Sequence, residues 1–202
     1  MVTEEIERNI THAREVIEEA ARKGAELVVL SLHLFDIDIP GKITFNESKT
    51  LTHGQHPIIV DTDVGRIGIG ICHDISFPEL AMLYGAKGAH LICCPGPWYI
   101  WHDNWSFALG VISKSKLFVA TCSPAQDTSA SYITWGHSTL VAPVHIMKFG
   151  EVIVTTEHEE AIVIGEIDYS LIELQSRSNL PLEKRRRGDL YQPVDVQRMG
   201  SQ

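Results

Sequence analysis

Residues 64–95 read VGRIGIGICHDISFPELAMLYGAKGAHLICCP, and this stretch decides the fold. Isoleucine alternates with glycine ahead of Cys72, a period of two that predicts a buried strand closely approached by another backbone or by a substrate. Residues 77–80 predict the first turn of a helix, because proline is tolerated there and an acid favours the positive end of the helix dipole. The helix should end at residues 85–88, and the apolar run at residues 89–94 predicts a second buried strand.

Cys72 lies in the predicted turn between the first strand and the helix. Strand and helix splay apart at such a turn, which leaves room for a ligand or a nucleophile. A cysteine at a strand end is more often an inert packing residue. The local pattern therefore makes Cys72 a candidate nucleophile without deciding between these two roles.

The composition is that of a globular domain with a sizeable core. The chain has 202 residues, of which 44% are apolar and 21% charged. Its formal net charge of -9 argues against a nucleic-acid partner, because such proteins carry a broad basic surface. The N-terminus is acidic and amphipathic, and no apolar stretch is long enough to span a bilayer. We therefore expect a single domain over residues 1–202 with no membrane partner, located in the cytoplasm, with mitochondria as the alternative.

The rest of the chain predicts alternating helices and strands. Helical spacing of apolar residues predicts a helix from Thr3 to the glycine at position 24, and residues 25–30 predict a buried strand. Residues 32–45 read as irregular around a turn at Pro40 and Gly41. The remaining predictions are strands at residues 58–61, 117–122, 139–142, 152–155 and 161–167, and helices at residues 105–116 and 169–176.

Four segments carry a family resemblance: HLFDIDIPGKITFNES at residues 33–48, GIGICHDISFPELA around Cys72, SPAQDTSASYITWGHST at residues 123–139, and RGDLY at residues 187–191. In this order they resemble the nitrilase superfamily of carbon-nitrogen hydrolases, and within it the omega-amidases. The resemblance runs over about residues 6–191 and leaves residues 192–202 as a tail expected to be disordered. It implies an α/β fold built as an α/β/β/α sandwich.

The resemblance also implies a thiol amidase that needs no cofactor or metal. Members of the family use a Cys, Glu, Lys triad, in which the thiolate attacks the amide carbon and the glutamate moves protons. The lysine and the backbone amide after the cysteine hold the oxyanion. By position, Cys72 matches the nucleophile, the backbone amide of His73 matches the oxyanion donor, and Glu47 matches a second, supporting glutamate. The implied partners are a small-molecule omega-amide, such as 2-oxoglutaramate or 2-oxosuccinamate, and a second copy in a homodimer.

Two members of the triad have no counterpart in this sequence. The family's first glutamate follows the early strand and its lysine precedes the HLFD segment, but here Leu30 runs through Ser31 directly into Leu32. The resemblance thus implies an incomplete sandwich, which lacks the N-terminal strand and a segment at Ser31. We expect impaired activity and a destabilised domain. The alternative is a catalytically silent isoform or paralogue that acts, if at all, through dimerisation.

Other groups of residues have both a structural and a functional interpretation. His53 and His56 have a metal-like interval, but no third ligand lies nearby, so we expect no metal site. His137 and the serine at position 131 could suggest a serine hydrolase, whereas the family resemblance explains their segment as structure near the site. Cys93 and Cys94 are interpreted as packing residues, and the aromatic residues that follow them as a pocket wall or as packing, namely Trp98, Tyr99 and Trp101.

Overall fold

The structure, a computed structural model, describes residues 31–41, 43–96, 116–126, 136–143 and 152–177, together with Thr11, Glu15, Glu18, Arg22, Arg187 and Asp189. The chain divides into two compact units, Met1–Pro57 and Ile58–Gln202. Thr11, Glu15, Glu18 and Arg22 are helical, in agreement with the predicted first helix. The strand predicted at residues 25–30 lies outside the described residues, as does the helix predicted at residues 105–116 except for Lys116, which lies in a turn.

In the first unit, two short strands form an antiparallel hairpin. Strand β1 (Asp36–Ile39) pairs with β2 (Ile43–Asn46), and a 3-10 helix (Glu47–Lys49) follows. The predicted turn at Pro40 and Gly41 is confirmed, and Gly41 has a φ of 71°. The prediction that residues 32–45 are irregular was wrong for the two strands, whereas residues 32–35 do lack regular secondary structure. The two aspartates of β1 lie on its exposed face, so a half-exposed strand tolerates residues that are otherwise rare in sheets.

Within the described residues, the second unit is built on a six-stranded sheet with strands in chain order. Strands β4, β5 and β6 run parallel to one another, and the remaining neighbours are antiparallel. Each of these strands had been predicted, with bounds shifted by a few residues at most. The strands are β3 (Ile58–Thr62), β4 (Gly65–Ile69), β5 (Leu91–Pro95), β6 (Phe118–Cys122), β7 (Thr139–Val141) and β8 (Val152–Thr155).

Helix α1 (Pro78–Ala86) connects β4 to β5 and packs on one face of the sheet. Its Tyr84 is completely buried, and a Cβ atom added at Gly68 would lie 2.9 Å from the Tyr84 ring. The glycine of β4 therefore makes room for the ring, which explains the alternation of glycine and isoleucine. Both the strand and the helix that residues 64–95 predict are confirmed.

The opposite face of the sheet carries an apolar core around Phe118, which is also completely buried. The ring of Tyr169 packs edge-on against the Phe118 ring, with centroids 5.9 Å apart. Tyr169 is followed by helix α2 (Ser170–Arg177), as predicted. Among the described residues, no helix combines the length and the apolar character needed to cross a membrane.

The strand predicted at residues 161–167 is wrong, because these residues adopt no regular secondary structure. A Cβ atom at Gly165 would lie 2.8 Å from the Leu140 side chain, so the segment runs directly over the sheet face. Ile162 and Ile164 are 91% and 85% exposed. The alternation of inward and outward residues is present, but no described strand forms a ladder with this segment.

Candidate active site

The candidate site lies where the parallel strands β4, β5 and β6 end. Carboxyl ends of parallel strands meet at one edge of a sheet, and this edge is where α/β folds place ligands. Cys72 follows β4, Gly96 follows β5, and Ser123 follows β6. The Gly96 amide donates a hydrogen bond of 2.8 Å to the carbonyl of Cys122, which ties the ends of β5 and β6 together.

The backbone of Cys72 has an unusual conformation. Its φ is 49°, in the left-handed region, and it begins a 3-10 helix (Cys72–Ser76). For a residue with a side chain this region costs on the order of 1 to 2 kcal/mol. Such conformations persist only where the surroundings enforce them, and they occur often at functional sites. Cys72 is half-buried, and three neighbouring features enforce its conformation.

The first feature is Gly96, whose backbone lies against Cys72. A Cβ atom at Gly96 would lie 2.6 Å from the Cys72 Cα atom and 3.1 Å from its backbone nitrogen. A side chain at this position would have to displace backbone, not a flexible side-chain end. Only glycine therefore allows the Cys72 turn to rest on the end of β5.

The second feature is Asp74, which is 3% exposed. Its carboxylate accepts a hydrogen bond of 2.8 Å from the Ile71 amide, and its own amide donates to the Ile71 carbonyl at 3.0 Å. These two bonds form a closed loop around Cys72. The sequence interpretation did not single out Asp74. The signal that could have found it is an acid three residues after a strand residue, at the start of a helical turn.

The third feature is Cys94, which is 1% exposed. Its thiol lies 3.9 Å from the Cys72 carbonyl oxygen and donates a weak hydrogen bond to it. Burial raises the pKa of the Cys94 thiol, and the nearby negative charge of Asp74 raises it further. Burial also raises the pKa of Cys93. Both thiols are therefore protonated at neutral pH, which agrees with their interpretation as packing residues.

A small cavity lies behind the Cys72 turn. It has room for about one water molecule, which is too little for a substrate with several heavy atoms. The cavity is lined by Gly70, Asp74, Ile75, Phe77, Leu80, Ala81, Tyr84, Ile92 and Cys94.

His73 and Glu47, the other two predicted site residues, belong to different units. The His73 ring packs edge-on against Phe77, with centroids 5.1 Å apart, so the side chain has a packing role. In the first unit, the Glu47 carboxylate accepts a hydrogen bond of 2.7 Å from the Phe35 amide. The Glu47 amide donates to the Phe35 carbonyl at 3.2 Å. This pair of bonds fixes the Glu47 side chain at the end of the β1–β2 hairpin.

The segment at residues 123–139 is held by hydroxyl and backbone contacts where it is described. The Ser123 amide donates to the Ser138 hydroxyl at 2.9 Å, and the His137 amide donates to the Glu157 carbonyl at 2.8 Å. The His137 and His158 rings pack edge-on, with centroids 4.9 Å apart. The serine at position 131 and the aromatic residues Trp98, Tyr99 and Trp101 lie outside the described residues.

The two histidines with a metal-like interval, His53 and His56, lie in an exposed segment. The His53 ring nitrogen Nδ1 lies 2.8 Å from the carbonyl of Gly54. Across the part of the chain that the structure describes, no three His, Cys, Asp or Glu side chains converge into a group that could hold a metal.

Comparison with known proteins gives a consistent picture. The family model described as carbon-nitrogen hydrolase matches residues 32–177. The chain is 62% identical over 173 residues to the chloroplastic omega-amidase of Arabidopsis thaliana, covering 84% of this chain and 45% of that protein. It is 43% identical over 163 residues to the omega-amidase NIT2 of Homo sapiens, covering 79% of this chain and 57% of that protein.

A solved structure agrees with these relatives. The NitFhit protein of C. elegans superposes with a TM-score of 0.71 at 30% identity, covering 81% of this chain and 39% of that chain. The mixed α/β arrangement described above is thus a nitrilase-type fold, present in part. The chain spans about half the length of the curated relatives it matches.

Proposed function

The chain belongs to the carbon-nitrogen hydrolase family, and on that premise we propose that it hydrolyses a short omega-amide through a thioester at Cys72. The observation that carries the proposal is the enforced left-handed backbone of Cys72 at the carboxyl edge of three parallel strands. The names of the omega-amidase relatives support this class of reaction. We infer dicarboxylate monoamides as substrates, with 2-oxoglutaramate and 2-oxosuccinamate as the first to test.

The proposed reaction has two steps. The Cys72 thiol loses its proton to solvent, and the thiolate attacks the amide carbon so that the carbonyl oxygen becomes an oxyanion. The leaving nitrogen takes up one proton from solvent, the carbon–nitrogen bond breaks, and ammonia is released as the oxyanion returns to a carbonyl group. Water then attacks the thioester, which gives the dicarboxylate and returns the thiol. The backbone amide of His73 is proposed to donate to the oxyanion in both steps. Glu47 is proposed as the supporting carboxylate, because the FNES segment that contains it resembles the family segment with the second glutamate.

We propose that the activity of this chain is impaired. By resemblance, a glutamate and a lysine of the triad have no counterpart between Leu30 and Leu32. Loss of one oxyanion donor reduces turnover by about two to three powers of ten. Loss of the general base reduces it by about two to four more. Turnover well below that of a complete relative is therefore the expected result.

Ammonia release from 2-oxoglutaramate tests this proposal. The purified chain is compared with C72A and with C122A, a matched control that removes an exposed thiol. We expect wild type and C122A to release ammonia at the same slow rate, and C72A to release none above background. A complete omega-amidase assayed in parallel should be faster by at least about four powers of ten.

Two results would contradict parts of the proposal. Equal rates for wild type and C72A would exclude the thiol mechanism and favour the catalytically silent alternative. A rate close to that of the complete relative would exclude the impairment. The silent alternative predicts co-purification with a full-length relative. We also propose, from the family resemblance, that the chain forms a homodimer, which predicts a dimer of this chain alone in size-exclusion chromatography.

A further inference from the structure

We propose that Asp74 is a positioning residue that holds the Cys72 thiol and the His73 amide in the arrangement needed to act on one carbonyl group. The inference rests on the proposed function for its chemistry. It rests on the described contacts of Asp74 for its geometry. Nothing in the family resemblance assigns this role to Asp74.

The geometry of Asp74 makes it a clamp around Cys72. Its carboxylate accepts a hydrogen bond of 2.8 Å from the Ile71 amide, and its backbone amide donates a hydrogen bond of 3.0 Å to the Ile71 carbonyl. Cys72 and His73 are the two residues enclosed between these bonds. Because both bonds span the same loop, they restrain the left-handed φ of Cys72.

The burial of Asp74 argues that this clamp is not incidental. A carboxylate that is 3% exposed is costly unless hydrogen bonds compensate for its lost hydration. The Asp74 side chain lines the same small cavity as Tyr84 and Cys94. Burial raises the pKa of Tyr84 and of Cys94, and the charge of Asp74 raises both further. An apolar residue at position 74 would avoid the loss of hydration but could not accept a hydrogen bond from the Ile71 amide.

If Asp74 positions Cys72 and His73, its loss should slow one reaction of the Cys72 thiol and leave another unchanged. Acylation by 4-nitrophenyl acetate passes through an oxyanion, so it needs the thiol and the His73 amide together. Its leaving group departs as 4-nitrophenolate, so no general acid is required. Alkylation by iodoacetamide is a direct displacement of iodide, which needs only an accessible thiolate. A change in exposure alone would alter both rates, whereas lost positioning lowers acylation alone.

The experiment measures both rates by peptide mass spectrometry in wild type, D74A and D74N. Trypsin separates Cys72 in residues 67–87 from Cys93 and Cys94 in residues 88–114, and from Cys122 in residues 117–148. We expect D74A to lower Cys72 acylation about tenfold or more while alkylation stays within about threefold. D74N should keep both rates near wild type, because the asparagine oxygen can still accept from Ile71.

Internal controls come from the same digests. Labelling of the buried Cys94 reports unfolding. If Cys94 becomes labelled in D74A, the acylation and alkylation rates are measured in D74E instead, which keeps the negative charge but displaces the hydrogen-bond acceptor. An unchanged ratio of acylation to alkylation in the folded variant would overturn the proposal. So would a wild-type Cys72 that is acylated no faster than exposed Cys122. A chain whose Cys72 accepts the ester but does not release ammonia from amides would refute the proposed function and leave this inference standing.

Discussion

At the scale of single residues, the site depends on a glycine that carries no chemistry. Gly96 lets the Cys72 turn rest on the end of β5, since any Cβ atom there would lie within 3.1 Å of three Cys72 atoms. The strained Cys72 backbone is thus enforced by its packing against Gly96 and by the hydrogen bonds of Asp74. Removal of either contact should allow the Cys72 backbone to leave its left-handed conformation.

A pair of glycine variants tests the packing support. G96A must displace backbone, so we expect it to lower the free energy of unfolding by about 1 to 3 kcal/mol. G70A is the matched control, because its Cβ atom would meet Asp74 at 3.4 Å and Cys94 at 3.6 Å, which is ordinary contact. G70A should change the free energy of unfolding by less than about 1 kcal/mol. Urea denaturation measures both, and equal losses in the two variants would refute the steric account.

Residues of the site that belong to a local sequence pattern could be predicted, whereas those that meet Cys72 only through strand pairing could not. Cys72 was found because the alternation of isoleucine and glycine, followed by a proline, marks a strand, a turn and a helix locally. Gly96 and Cys94 were missed as supports of Cys72. They lie 24 and 22 positions away and meet it only because β4 and β5 pair in parallel, which no local pattern encodes.

At the scale of elements, residues 161–167 show how a correct pattern can predict the wrong structure. Gly165 lies on the sheet face and Ile167 packs against the core, whereas Ile162 and Ile164 point to solvent. The period of two is therefore real. A strand also needs a hydrogen-bonded neighbour, and no described strand provides one. The opposite error occurred at β1, where charged residues concealed a strand that does have a neighbour.

Serine substitutions in this segment test that description. The double variant I162S and I164S should change the free energy of unfolding by less than about 0.5 kcal/mol, because both side chains are already solvated. I167S should lower it by more than about 1 kcal/mol, because Ile167 contributes to the apolar core. Thermal or urea unfolding measures the free energy of unfolding of each variant. A large loss in the double variant would show that the two isoleucines are covered in solution.

At the scale of the whole molecule, buried acidic groups connect stability to pH. The pKa of Cys94 is raised by burial, as is that of Tyr84, whose hydroxyl donates to the Ile69 carbonyl. The folded state therefore retains protons that the unfolded chain releases. Stability from these groups is complete below the unfolded thiol pKa of 9.0 and declines as the pH rises above it.

Alkaline unfolding of C94A tests this linkage. Each retained proton contributes a slope of about 1.4 kcal/mol per pH unit. We expect the free energy of unfolding of wild type to fall steadily above pH 9, and the slope for C94A to be shallower by about that amount. Urea denaturation at a series of pH values gives both slopes. Identical slopes would mean that the Cys94 thiol is not protected in the folded chain.

The order of the strands and helices along the chain could be predicted from the sequence, whereas the contacts between distant residues could not. Alternating helical and strand patterns predicted the order of the six-stranded sheet's elements, because local periodicity reflects which side chains face the core. How the parallel strands order themselves and how Glu47 is oriented depend on contacts between distant residues. Those contacts required the structure.

The most direct test of the central claim is a search for the acyl-enzyme at Cys72. The chain is incubated with 2-oxoglutaramate, quenched in acid and digested with trypsin. We predict an acyl adduct on residues 67–87 in wild type, its absence in C72A, and no adduct on the Cys122 peptide. An adduct that persists in C72A, or that forms equally on Cys122, would contradict the assignment of Cys72 as the nucleophile.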